Sequence, residues 1–343
     1  MSQITAIPAL FDLYPWQQET WGQIKEMRQS KRLPHALIIG GVEGIGKLSF
    51  AKSIAASLLC QSPVDSEACG RCKSCQLTLS GSHPDFKLLE PKEEGKAILV
   101  DQIRGISHSL ATTAQQGGAR VVVINGASDL NPNAANALLK QLEEPGDNSY
   151  FLLIHQWPSR VLATVRSRCQ VLDMATPLTG IANEWLQFNV TDEKLGEEKA
   201  QHLLQLANGA PLKAKQLHET KATEQRHQML VELTAILRGN KTSIEVANVW
   251  QKRPLIPMLS WWMEWLSDLV RLKMTGEPDS VTNQDILKLL LAVGKRSDIR
   301  AVYQLMDMIS EDLQYLNQRR NLNPQLVCEK LLNQWYLLVK SGT

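Results

Sequence analysis

The sequence predicts a parallel α/β domain built on a phosphate-loop unit and carrying a four-thiol metal module, followed by an all-helical region. Three observations predict it. Apolar strands alternate with helical stripes up to about residue 173, as a parallel sheet covered on both faces requires. A glycine-rich loop stands between the first strand and its helix. From Thr176 onward the apolar period is helical, with no convincing strand.

The elements follow in order. Ala36-Leu37-Ile38-Ile39 is an apolar run of strand length, and Leu48 to Leu59 carries apolar residues at helical spacing. Val100, Ile103, Ile106 and Leu110 form the stripe of a second helix, and Val121 to Ile124 is a continuous apolar strand. A short helix carrying Ala134, Ala137, Leu138 and Leu142 leads to the run Tyr150 to Ile154, and Val171-Leu172 follows Arg168. Five short strands are expected, closing the first domain near Asp173. Helices are expected over residues 198–207 and 226–237, with breaks at Gly239-Asn240 and Gly276-Glu277-Pro278. Trp250, Trp261, Trp262 and Trp265 fall at helical spacings and are expected to pack helices together. The alternative, a platform for stacking bases, pairs aromatics with basic residues, which are sparse there.

With 343 residues the chain has room for two or three domains. Hydrophobic residues at 43% and charged ones at 21% are a globular balance. Basic residues number 37 against 35 acidic, for a net charge of +2, which argues against the one-sided basic surface of an autonomous DNA binder. The N-terminal stretch has no basic lead into an apolar run, and no segment approaches the roughly 18 apolar residues of a membrane span. A cytoplasmic location is expected.

Gly41-Val42-Glu43-Gly44-Ile45-Gly46-Lys47 matches G-x-x-x-x-G-K in the strand-to-helix context that the mechanism needs. Backbone N–H groups can turn inward around phosphate there, and Lys47 can reach the outer phosphates. The next residue should bring a hydroxyl to Mg²⁺, but Leu48 has no lone pair. The strand Val121 to Ile124 should deliver Asp then Glu, to hold the metal shell and orient water, yet Asn125 and Gly126 stand there. Gly41, Gly44, Gly46 and Lys47 are therefore read as a degenerate phosphate loop, with no functional ATP and Mg²⁺ site expected. A turn that binds nothing and a weak, metal-poor nucleotide site both fit that reading.

Cys60, Cys69, Cys72 and Cys75 make C-x₈-C-x₂-C-x₂-C. Thiolates two residues apart across a tight turn chelate one ion, and four complete a closed tetrahedral zinc shell with no open position for catalysis. An iron–sulfur cluster is the alternative, though its usual runs are spaced differently. Without a secretory signal a disulfide framework is disfavoured.

A phosphate loop, a four-cysteine insert at the end of its helix, then Asn136-Ala137-Leu138-Leu139-Lys140-Gln141-Leu142-Glu143-Glu144-Pro145 and Ser167-Arg168-Cys169, resembles in order the bacterial clamp-loader subunits of DNA polymerase III, of AAA+ type. Asn321-Leu322-Asn323-Pro324-Gln325-Leu326, ahead of a final apolar helix, resembles their helical collar. The resemblance implies an AAA+-type domain over residues 1–173, a helical lid over 174–217 and a collar over 218–343. It implies a ring member that does not hydrolyse ATP and uses Arg168 as an arginine finger in trans on ATP held by an adjacent gamma or tau subunit. Its implied partners are delta and gamma or tau and, through the complex, the beta clamp and primed DNA, with no membrane. Leu212 stands where nucleotide-sensing relatives carry a lid arginine. Two other classes remain: an active ATPase of the same fold, disfavoured by Leu48, Asn125 and Gly126, and a zinc-dependent nucleic-acid-binding module, disfavoured by the near-neutral charge.

Overall fold

The computed structural model describes residues 13–93, 96–110, 114–116, 118–156, 161–190, 195–318 and 320–340. The chain divides into two compact units, Met1–Glu219 and Thr220–Thr343.

In the first unit a 3₁₀ turn at Pro15–Gln17 leads into α1 (Gln18–Gln29), β1 (Ala36–Gly40), α2 (Lys47–Leu59), α3 (Lys73–Leu79), β2 (Phe86–Leu89), α4 (Val100–Leu110) and β3 (Arg120–Asn125). Then come α5 (Pro132–Glu143), β4 (Ser149–Ile154), α6 (Ala163–Arg166), β5 (Gln170–Asp173), α7 (Thr179–Asn189), α8 (Glu197–Leu206) and α9 (Pro211–Glu219). The strands form one five-stranded sheet in the order β2-β3-β4-β1-β5, every adjacent pair parallel. The three central strands, β1, β3 and β4, are near-continuous apolar runs, because a strand covered on both faces has no side left for polar residues. One core lies on each face. Trp21, Ile39, Phe50, Ile54, Val123 and Leu152 fill one, with α1 and α2. Ile38, Ile103, Leu138, Val122 and Leu153 fill the other, with α4 and α5. The expected α4 stripe holds at Ile103 and at half-buried Ile106; the Leu110 side chain falls outside the described part.

The fifth strand of the sheet is β2, at the edge, whose Phe86-Lys87-Leu88 is only half-buried. An edge strand buries one side, so it need not show a continuous apolar run. Helix α5 starts as its sequence dictates: Pro132 occupies the first turn and the Asn131 side chain accepts the Ala134 N–H at 2.7 Å. Helices α7, α8 and α9 pack on a small core of their own, centred on Ala182, Leu186, Leu203 and Ala214.

The second unit is helical throughout its described residues: α10 (Ala222–Leu237), α11 (Ser243–Trp250), α12 (Leu255–Thr275), α13 (Leu287–Gly294), α14 (Ile299–Asn317) and α15 (Pro324–Lys340). Thr242 and Glu245 form a reciprocal capping box at the start of α11, and Gly276 closes α12 in the left-handed conformation. Trp262 sits edge-on to both Trp250 and Trp335, with centroids 5.4 and 6.0 Å apart. Trp250, Trp262 and Trp265 are buried and Trp261 packs against them, so these tryptophans are core, as their spacing predicts. No helix among the described residues is long and apolar enough to cross a membrane.

Candidate functional site

The phosphate loop leaves the C-terminal end of β1 and enters α2 at Lys47, with Gly46 as a left-handed cap. Gly44 and Gly46 are obligatory where the loop is clasped. Gly44 has φ +83° and a Cβ there would lie 2.7 Å from the Lys213 backbone nitrogen; Gly46 has φ +84° and a Cβ there would run into the Tyr14 ring. Both neighbours are parts of the fold that clasp the loop. The Leu212 N–H donates to the Gly44 carbonyl at 3.0 Å, so the start of α9 is pinned to the loop, and Lys213 pairs with Glu43 at 3.3 Å. From the other side the Trp16 indole N–H donates to the Ile45 carbonyl at 2.9 Å, and the Gln17 amide donates to the Ile45 and Gly46 carbonyls, both at 3.0 Å. Tyr14 stacks on Trp16 at 5.0 Å, and Trp185 of α7 meets both edge-on at 5.6 and 5.4 Å. Tyr14, Trp16, Gln17 and Trp185 were not legible as site residues; Pro15 ahead of Trp16 marks a turn but not what it covers.

Lys47 is buried, and its ammonium donates to the Gly41 and Val42 carbonyls at 2.7 and 2.6 Å. Burial pushes it down to about 8, against the pull of Glu43. At the end of β3 the Asn125 amide donates to Glu90 at 2.7 Å, and Gly126 is left-handed with φ +112°. Leu48 is half-buried and packs against the core on the α1 and α2 face of the sheet. His155, just past β4, is buried, its Nδ1 has no hydrogen-bond partner, and burial pushes it below the ordinary histidine range, opposed by Asp173. Sequence reading missed Glu90 because it missed β2, and missed His155 because a lone histidine after an apolar strand carries no motif.

The thiol cluster forms where α2 ends and α3 begins. Cys60 caps α2, Cys72 caps α3, and all four Sγ atoms lie within 4.8 Å of one another. The Cys60–Cys72 and Cys69–Cys75 separations are 3.9 and 4.0 Å. A tetrahedron with metal–sulfur bonds of about 2.3 Å has edges of about 3.8 Å, so the four thiols fit one tetrahedral ion. The Cys69, Cys72 and Cys75 N–H groups donate to the sulfurs of Cys60, Cys69 and Cys72 at 3.2, 3.4 and 3.4 Å. Such donors favour the thiolate, and those of Arg71 and Cys72 hold the Cys69 thiol below its usual range. The two remaining cysteines are held protonated by burial, Cys169 at about 11 and Cys328 at about 12.

Arg168 lies between α6 and β5. Its Nε and Nη2 reach one oxygen of Glu143, the last residue of α5, at 2.7 and 2.5 Å, and its Nη1 donates to the Thr164 carbonyl at 2.8 Å. The side chain keeps 35% of its surface exposed. The loop after β1, the thiol cluster between α2 and α3, and Arg168 ahead of β5 are thus three separate features of one unit.

A parallel sheet with a phosphate loop at the C-terminal end of its first strand defines a P-loop-type α/β protein, here followed by further helices. Residues 16–177 match the family described as DNA polymerase III, delta subunit, and residues 220–336 match DNA polymerase III, delta subunit, C terminal. The chain belongs to the DNA polymerase III subunit delta' family. It is 39% identical over 333 residues to DNA polymerase III subunit delta' of Pseudomonas aeruginosa, covering 96% of this chain and 99% of that one. It is 30% identical over 322 residues to that of Escherichia coli K12, covering 93% and 94%. Among solved structures, a DNA polymerase III gamma subunit-related protein of Thermotoga maritima aligns over 93% of this chain and 99% of its own, at 17% identity and a TM-score of 0.45.

Proposed function

We propose that this chain is a clamp-loader subunit that does not hydrolyse ATP and supplies Arg168 in trans to ATP bound by an adjacent gamma or tau subunit. The observation that carries this reading is the donor set. Leu48 follows Lys47, and Asn125-Gly126 end β3, so the loop keeps its shape without the oxygens that hold Mg²⁺ and orient water. Arg168 meanwhile sits at the surface. A guanidinium is always charged and presents a planar fork, so it can stabilise phosphoryl charge across an interface while its own chain binds no nucleotide.

On this reading residues 174–217 form a lid against the loop and residues 218–343 form the collar that joins delta and gamma or tau in the ring. The beta clamp and primed DNA are reached through the complex. The four cysteines hold one structural zinc: four thiolates satisfy the ion, which leaves no position open for a substrate.

In a reconstituted loader, Arg168→Ala is expected to lower DNA-stimulated ATPase by about 10³-fold or more, the usual worth of an arginine finger, with assembly on a sizing column unchanged. The isolated chain is expected to release no phosphate from ATP above background. Wild-type ATPase in the Arg168→Ala loader, or turnover by the isolated chain that Lys47→Ala abolishes, would overturn the proposal.

A further inference from the structure

We infer that Glu143 is a positioning residue that parks Arg168 on its own chain, so that the guanidinium reaches a neighbour's phosphate only by leaving this carboxylate. The inference rests on the arginine-finger reading and deepens it. A guanidinium placed to act across an interface would be expected to point outward with its donors open. Here three of its nitrogens are turned inward. Nε and Nη2 share Glu143 Oε1 at 2.7 and 2.5 Å, while Nη1 donates to the Thr164 carbonyl at 2.8 Å and the Ser167 hydroxyl at 3.3 Å. Glu143 closes α5, so the negative end of that helix adds to the charge holding Arg168.

The strength of the latch is set by its exposure. Half of the Glu143 side-chain surface and 35% of that of Arg168 face water, so this is a surface ion pair, weak by nature and screened by salt. A single half-hydrated carboxylate loses the competition when a triphosphate with several negative charges arrives within reach in a drier interface. The exchange is carboxylate for phosphate at one unchanging cation, and no proton moves. Without ATP next door the side chain stays folded against α5 and α6; with ATP present it swings out. Glu143 thereby sets the fraction of time that Arg168 is available.

Two measurements test this. In the isolated full-length chain, the Arg168 Nε–H resonance is expected to be protected from exchange with water at low salt, and to lose that protection in Glu143→Gln, which keeps shape and removes charge. Equal protection in the two proteins overturns the latch without touching the finger reading. In the reconstituted loader, Glu143→Gln is expected to raise the DNA-independent ATPase of the neighbouring subunit about two- to fivefold, the fold-range of an exposed ion pair. The gap is expected to close as salt is added, because salt weakens the wild-type latch too. The double variant Glu143→Gln/Arg168→Ala is expected to match Arg168→Ala alone. An unchanged or lowered rate in Glu143→Gln, with Arg168→Ala still impaired, shows that the carboxylate does not restrain the arginine and sinks the inference alone. Wild-type activity in Arg168→Ala removes the finger reading, and the latch falls with it.

Discussion

At the scale of single residues, the phosphate loop shows how a lysine can be buried by the carbonyls of its own loop. Lys47 normally needs a counter-charge to be buried as a cation. Here the loop's own carbonyls of Gly41 and Val42 accept from it, and burial still pushes it down to about 8 from 10.5. The linkage sign follows. Below pH 8 the lysine is protonated folded and unfolded, and the cost of burying the charge is constant. Between pH 8 and 10.5 the unfolded chain holds a proton that the folded chain has released, so stability gained from this residue rises with pH. Chemical unfolding of wild type and Lys47→Met at pH 7 and pH 10 should therefore show wild type improving relative to the variant as the pH rises. A difference that stays flat or moves the other way means that Lys47 is not desolvated as described. The neutral amine retains two N–H groups, enough for the same two carbonyls.

At the scale of elements, the thiol module is a case of helix ends building a site. Cys60 ends α2 and Cys72 begins α3, so the two pairs of sulfurs are brought together by where two helices stop and start. Between them Asp65 and Ser66 are left-handed, and the segment is tied to α1 by Lys25 pairing with Asp65 at 3.2 Å and Glu67 at 2.6 Å. These exposed pairs contribute little by themselves; the metal is expected to supply most of the order. Protein purified without chelator should hold about one equivalent of zinc, measured by metal analysis. Cys72→Ser should lose it, with hydrogen exchange over residues 60–79 accelerating while the central strands remain protected. Full metal content in Cys72→Ser, or an iron–sulfur absorption band in wild type, would refute the assignment.

At the scale of the whole molecule, each unit has its own core. The first relies on apolar strands buried on both faces. The second joins buried, paired charges to its tryptophan core. Glu232 accepts from the Trp250 indole at 2.6 Å and takes both Nη groups of Arg253 at 2.9 and 3.0 Å. Asp268, fully buried, accepts from the Thr282 and Asn283 backbone and the Asn283 amide, which fixes the turn after α12. Removing one partner of such a pair strands the other. Glu232→Ala is thus expected to destabilise the second unit by about 3–5 kcal/mol, seen by hydrogen exchange as faster opening of α10, α11 and α15 with protection of the sheet unchanged. Loss of less than about 1 kcal/mol would class the pair with surface ion pairs.

Much of this was legible in the sequence, for a physical reason in each case. The central strands showed because burial on two faces leaves an unbroken apolar run. The loop showed because phosphate-loop geometry demands glycine at fixed places, as Gly44 and Gly46 confirm with left-handed φ and no room for a Cβ. The thiol set showed because chelation needs short spacings, and those spacings do gather the sulfurs. What stayed hidden depends on partners far apart in the chain. Edge strand β2 carries too little apolar signal, and with it Glu90 was lost. The clasp of Tyr14, Trp16, Gln17 and Trp185 rests on contacts that span from 28 positions, Gln17 to Ile45, to 171, Tyr14 to Trp185. The pairing of Glu143 with Arg168 spans 25 positions and two elements. The sequence by itself determined which donor groups are present, since Leu48, Asn125, Gly126 and the four thiols stand at fixed spacing. Only the tertiary structure decided which side chains hold the loop and where the arginine rests, because those depend on how distant elements pack and not on local period.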